Sequence, residues 1–373
     1  MPLYEGVGVV ADRHAVILDI GTAYTKCGLA TEPCPRFILP SEIYDWKTKS
    51  TRKVVDYNCV KSEQYDVPSI VFLPSHLAAC FPLGTQGALV VDVGFRETLV
   101  LPIYEGIPML NCWQASPVGQ YRILELRKEC LFPSTKASFI VLQCFRSLRS
   151  FLMKFSKVED SNGELKPLSS NHSAEILNQE LLENVKVMTS FVTTLERAKK
   201  IQATLFNGKV PLKSEILGKV EQPPPDIKYS LNESSILHVD GFIRESINET
   251  LFIREVDDKS IPQLILDSIL KCPIDLRRYF LSRIHVVGGT TMCPGFMDRL
   301  KRDLLDLLKD EREIYHKSLP SVEEVKFFPL PIKANCMSWL GECFKLMNSE
   351  SKYCFGILLY LVANETSYKT ENL

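Results

Sequence analysis

The chain has 373 residues, of which 45% are apolar and 24% charged. That balance excludes a largely disordered, collagenous or coiled-coil protein, and the length fits two domains. Lys and Arg number 44 against 45 Asp and Glu, a net charge of −1, so no overall field draws the protein to nucleic acid or anionic lipid.

The twelve cysteines lie between Cys27 and Cys354 without a C-x-x-C pair, and the six histidines form no H-x₃₋₅-H pair. This excludes a disulfide or zinc framework and predicts reduced, mostly buried thiols in a cytosolic protein. The start lacks a charged segment followed by an apolar one, so no secretory signal is expected. The sequons at Asn171, Asn232, Asn248 and Asn364 therefore read as chance. The apolar run from Cys354 to Ala363 is ten residues, half of what spans a bilayer. A soluble cytoplasmic chain is expected, without nucleic-acid partner or membrane insertion.

In chain order, the first informative segment is Ala15-Val-Ile-Leu-Asp19-Ile-Gly21-Thr22-Ala-Tyr-Thr-Lys26. It predicts a strand, a tight turn and a second strand over 26–30. The pattern returns at Ala88-Leu-Val-Val-Asp92-Val-Gly94-Phe-Arg-Glu-Thr98, with a second strand over 98–103. Backbone amides around two such glycines can cradle phosphate oxygens, the two carboxylates can hold a hydrated Mg²⁺, and Lys26 adds a point charge. Two structural hairpins are the competing reading.

Arg122 to Lys157 carries eight Lys and Arg against Glu125 and Glu129 and reads as a solvated basic face. Residues 160–173, polar and rich in Ser and Asn, predict a loop. Residues 181–203 predict one helix with Val185, Met188, Val192 and Leu195 on its core face. Gln222-Pro-Pro-Pro-Asp226 predicts a stiff surface turn. Ile284 to Val287 reads as a buried strand, then Gly288-Gly289-Thr290-Thr291-Met292-Cys293-Pro294-Gly295. A helix follows, with Phe296, Leu300, Leu304, Leu307 and Leu308 at helical spacing. Paired glycines there would let a base or ribose approach bare backbone.

Two Asp-x-Gly hairpins followed by V-V-G-G-T-T-M-x-P-G resemble the actin superfamily, which includes sugar kinases and chaperone ATPases. Leu101 to Gly106 and Trp339-Leu-Gly341 are similar to actin itself. Pro68 to His76, Pro108 to Trp113, Ile265 to Asp275 and Lys333 to Cys336 resemble its divergent actin-related members at the pointed end of dynactin. The resemblance covers roughly 1–60, 66–120 and 175–348. It implies an α/β fold of two domains around a nucleotide cleft, each with a mixed five-stranded sheet.

By position, it places Asp19, Gly21, Thr22 and Lys26 in a first phosphate loop and Asp92 and Gly94 in a second. Gly288, Gly289, Thr290 and Met292 would line the adenosine. ATP or ADP with Mg, reached through Asp19 and Asp92 rather than by direct ligation, is the implied cofactor. The departures argue against efficient hydrolysis. Phe95-Arg96 replaces the Asp-Gly of actin's second loop. The glutamine that orients the attacking water in actin falls on Ser75, and a nearby histidine on Leu99. Ser is too short to reach that water and Leu cannot hydrogen-bond. A ribose-holding glutamate falls on Val187, and a basic residue over the adenine on Asn335.

Only 57 residues separate Ala30 from Ala88, where actin places the rest of its first domain and a small outer domain. The resemblance implies a shortened or alternative form. A helix, a strand and a helix that support the first sheet would be missing between Glu63 and Gln64. Residues 132–170 read as an insertion, and 351–373 replace the family's ending. The implied domains are 1–82 with a return over 337–373, and 83–336 with an outer part at about 119–256.

The resulting expectation is a non-catalytic or weakly catalytic structural subunit of the cytoplasmic cytoskeleton. It would cap the pointed end of dynactin's actin-like filament, meeting filament subunits and other pointed-end subunits, in support of dynein-based microtubule transport. The alternatives are an ATPase or kinase of the superfamily, or a nuclear actin-related chromatin-remodelling subunit.

Overall fold

A computed structural model describes residues 15–30, 32–46, 49–53, 70–120, 148–168, 177–205, 223–233, 235–253, 259–319, 324–348 and 357–361. The predicted gap at 63–64, residues 132–147 and the stretch 169–173 lie outside them.

The β-branched run β1 (Val16–Ile20) turns back into β2 (Tyr24–Leu29), which pairs with β3 (Phe37–Pro40). A separate ribbon joins β4 (Glu42–Asp45) to β5 (Ser50–Lys53). Then come β6 (Ile70–Phe72) and the short helix α1 (Ser75–Cys80).

The second repeat unit is the hairpin of β7 (Ala88–Val93) and β8 (Thr98–Tyr104), followed by β9 (Ile107–Pro108) and β10 (Gln114–Ser116). Next are α2 (Leu148–Phe155), the hairpin β11 (Lys157–Asp160) to β12 (Leu165–Pro167), α3 (Gln179–Thr189) and α4 (Leu195–Leu205). A further hairpin, β13 (Ile227–Asn232) to β14 (Ser235–Val239), leads to α5 (Gly241–Ser246). The helices α6 (Ile261–Lys271) and α7 (Ile274–Leu281) precede β15 (Ile284–Val287) and α8 (Phe296–Lys309). The chain then passes through α9 (Ile314–Ser318) and α10 (Met337–Asn348) to β16 (Ile357–Leu361).

Both central sheets have five strands. The first runs β3-β2-β1-β16-β6, and the second β10-β8-β7-β15 with β9 added beside β8. In the second, β15 pairs parallel to β7 with Ile284 opposite Leu89 and Val287 opposite Asp92. Burial on both faces explains why β7 and β15 are continuous apolar runs rather than alternating ones. Phe296, Leu300, Leu304 and Leu308 of α8 are buried, as their fourfold spacing predicts. The α/β architecture of two five-stranded sheets agrees with the expected fold class.

Three expectations are corrected. The single helix over 181–203 is two helices, because Ser190 to Thr194 are not helical, with Ser190 in extended backbone. There the amides of Phe191 and Val192 bond the carbonyls of Arg244 and Pro294 instead of continuing the helix, and Met188 is exposed. Residues 160–168 are not simply a loop: β11 and β12 pair around a turn in which Gly163 takes φ +76° and donates to Asp160 O. The stretch 122–157 is not only a solvated basic face either. Leu148, Phe151 and Leu152 of α2 are buried in the main core beside Phe242 and Leu182. The tri-proline lies as expected outside regular structure, with Arg244 Nη1 donating to Pro225 O.

Candidate functional site

The sequence repeat is a repeat in space. Gly21 N–H donates to Tyr24 O at 3.1 Å, and Gly94 N–H donates to Glu97 O at 2.9 Å. A Cβ on Gly21 would lie 2.8 Å from Tyr24 O, closer than real contacts permit. Each of the two glycine amides thus closes its own turn. The strand registers match too: Asp19 stands opposite Lys26, and Asp92 opposite Leu99.

The third motif is pinned to the second hairpin. Gly288 takes φ +100°, and a Cβ there would meet Val93 O at 2.3 Å and Asp92 Oδ1 at 2.7 Å. Thr290 Oγ1 donates to Gly94 O at 2.9 Å, and Gly288 N–H to Ala334 O at 3.2 Å. A Cβ on Gly289 would meet only the Asn335 side chain, at 3.9 Å, so its bareness leaves open space.

The three motifs wall one cavity of about 400 Å³. All ten residues expected from the sequence line it: Asp19, Gly21, Thr22, Lys26, Asp92, Gly94, Gly288, Gly289, Thr290 and Met292. So do Ser75, Leu99, Phe95, Arg96, Val187 and Asn335, the positions at which the chain departs from actin. Neither Ser75 nor Leu99 supplies a glutamine or histidine to this space.

Charge is unevenly placed within it. Lys26 Nζ lies 2.5 Å from Asp19 Oδ2, and both side chains are largely buried. Burial pulls the Lys26 amine down, but the Asp19 carboxylate more than restores it, leaving it above its usual value. Asp92 has Leu99 opposite instead of a cation. Burial, and then repulsion from Asp19, hold its carboxyl above the ordinary range against the pull of His76 and Lys26.

Four residues were not singled out from the sequence. Lys186 on α3 is 4% exposed and lines the cavity. No hydrogen bond or ion pair engages its amine among the described residues, and burial lowers its proton affinity. Glu183, on the same helix, lies against the hydroxyl of Tyr24 from the first hairpin. Burial and that carboxylate push the Tyr24 hydroxyl up to about 12, and both residues line the cavity. His76 is buried behind Ser75, with Nδ1 3.3 Å from Ser75 Oγ and Nε2 unpartnered. The signal for the α3 pair was present: Glu183, Lys186, Val187 and Ser190 recur at one-face helical spacing, and all four line the cavity.

The cavity thus brings together the bare Gly289 wall, the Lys186 amine and the Lys26–Asp19 pair. No cluster of three or more His, Cys, Asp or Glu suited to a metal ion occurs among the described residues.

The family model for actin matches residues 44–327. The chain belongs to the actin family. It is similar to actin-related protein 10 of Dictyostelium discoideum, 24% identical over 88% of this chain and 82% of that one. It is also similar to actin-related protein 4 of Oryza sativa subsp. indica, 24% identical over 78% of this chain and 63% of that relative. A shorter stretch is 41% identical to actin-related protein 6 of Drosophila melanogaster, covering 16% of this chain and 15% of the other. The chain thus spans most of the first relative's length and less than two thirds of the second's. As an actin-family chain it carries the two hairpins and the Gly-Gly turn around one cavity. No helix among the described residues is long and apolar enough to cross a membrane.

Proposed function

We propose that this actin-family chain binds ATP or ADP with Mg²⁺ in the cavity, turns it over poorly if at all, and serves as a structural subunit at the pointed end of dynactin. The convergence of all ten expected residues on one cavity supports the nucleotide reading. Lys26, Thr22 and Lys186 would hold phosphates and polar edges, while Gly289 and Met292 would face the base and ribose. Mg²⁺ would neutralise phosphate charge. Ser75 and Leu99 stand where actin's water-orienting glutamine and nearby histidine would fall, which argues against efficient hydrolysis.

The pointed-end role rests on the motifs shared with dynactin's actin-related subunit and on the similarity to actin-related protein 10. A head-to-tail filament grows until a subunit docks through one face and offers no complementary second one. A second domain with a complete sheet and a reduced outer part of the first meets that requirement.

Two measurements test this. Mg-ATP is expected to raise the thermal midpoint of the purified chain, with steady-state turnover at background. Turnover abolished by Asp19→Ala would instead make it an ATPase. Negative-stain images of the chain with dynactin subunits are expected to show it at pointed ends, and its absence there would refute the capping role.

A further inference from the structure

The first sheet is assembled from distant parts of the chain. β1 and β6 do not touch. β16, from 357–361, lies between them and runs parallel to both. Its register pairs Val16 with Ile357 through Ile20 with Leu361 on one side, and Ile70 with Ile357 through Phe72 with Leu359 on the other. Strands in a sheet are about 4.8 Å apart, so β1 and β6 are held roughly 10 Å apart, a gap only another strand can fill. With that gap empty, both strands would present unpaired N–H and C=O groups inside the domain.

The sequence around β16 suits the position. The run Cys354 to Ala363 contains no charged residue, the signature of a strand buried in a parallel sheet. A parallel neighbour needs a crossover, and α10, which packs against β1 and α1, supplies it before the chain enters β16. The same run reads in the sequence as an unexplained apolar ending. By the resemblance, a strand that supports this sheet is expected to be missing from the shortened 31–87 segment.

We propose that β16 is a replacement strand: Ile357–Leu361 fills, within the same molecule, the central position of the first sheet that the shortened first domain leaves open. Asp19, at the end of β1, is paired with Tyr360 across this ladder. The first phosphate hairpin is therefore held from both sides only while β16 is seated. The inference does not depend on nucleotide binding.

Hydrogen–deuterium exchange on the full chain, with its mass in solution measured in parallel, tests it. Amides of 357–361 are expected to exchange as slowly as those of 16–20, retarded by roughly a hundredfold or more over an unstructured chain, at monomer mass. Leu359→Pro, which removes a ladder amide from a central strand, should speed exchange at both 16–20 and 70–72. Ser367→Pro, beyond the strand, should leave both unchanged. Fast exchange at 357–361 in the unaltered chain overturns the proposal. So does equal protection at dimer mass, which would assign the strand to a second copy. The unaltered chain decides the matter even where Leu359→Pro fails to fold.

Discussion

Lys26 and Asp19 face each other across the first hairpin, Nζ to Oδ2 2.5 Å apart and largely out of water. The equivalent pair in the second hairpin is Asp92 and Leu99. One repeat keeps its internal cation and the other has lost it. Two carboxylates that repel each other therefore share the Lys26 ammonium. Lys26→Met should cost about 3 kcal/mol, because removing one member of a buried pair strands the other charge. Urea denaturation checks it. The double variant Asp19→Asn/Lys26→Met should recover part of that loss, and a double variant no more stable than the single one would contradict the pairing account. Neither should retain a thermal shift with Mg-ATP.

Tyr24 of the first hairpin and Glu183 of α3 both line the cavity, the Glu183 carboxylate acting on the Tyr24 hydroxyl. A polar contact of this kind contributes on the order of 1 kcal/mol. Tyr24→Phe should accordingly speed release of a fluorescent ATP analogue about fivefold. Glu183→Gln should do the same, and the two together no more than either alone. Additive effects would show that the pair does not act as one unit.

Adjacent glycines should respond differently to a methyl group. Gly288→Ala must place a Cβ at 2.3 Å from Val93 O with φ +100°. Left-handed strain and overpacking together should cost about 3 kcal/mol or more. Gly289→Ala meets nothing closer than 3.9 Å and should keep the stability while narrowing the cavity. Thermal melts of the two variants, with and without Mg-ATP, separate the outcomes.

His285 gives the fold a dependence on acid. It is fully buried, donates Nε2–H to Ala79 O at 3.0 Å, and is held by burial at a pKa of about 4. The unfolded chain binds a proton there near pH 6.5 and the folded one does not. Stability is therefore lost as the pH falls from about 6.5 to about 4, by up to roughly 3 kcal/mol. Asp303, raised by burial to about 6, works in the opposite direction over about the same range. The difference between the parent and His285→Gln isolates the imidazole. Urea midpoints at pH 7 and 4.5 should fall less in the variant.

Local pattern carried much of the site. Asp-x-Gly turns, the strand before Gly288 and the helix after Pro294 each depend on interactions between residues close in sequence. Their positions could be read without the fold. The break at Ser190 to Thr194 could not be read this way. Helical spacing runs across it, and only carbonyls from Arg244 and Pro294 make the non-helical form the better paired one. Lys186 was missed for a related reason: a lysine on a helix is ordinarily solvated, and only the packing around α3 removes its water.

Composition and the repeat by themselves determined a globular chain with two matched carboxylate hairpins, and the resemblance added the α/β fold. Those features follow from short-range sterics and from runs of β-branched apolar residues before each Asp-x-Gly turn. Tertiary structure alone decided that the hairpins and the Gly-Gly turn wall one cavity. It also decided that the apolar run near residue 360 is a central strand rather than a tail. Strand pairing across more than 300 residues, Val16 to Ile357, leaves no local trace, because the hydrogen bonds that select it exist only once the sheet is formed.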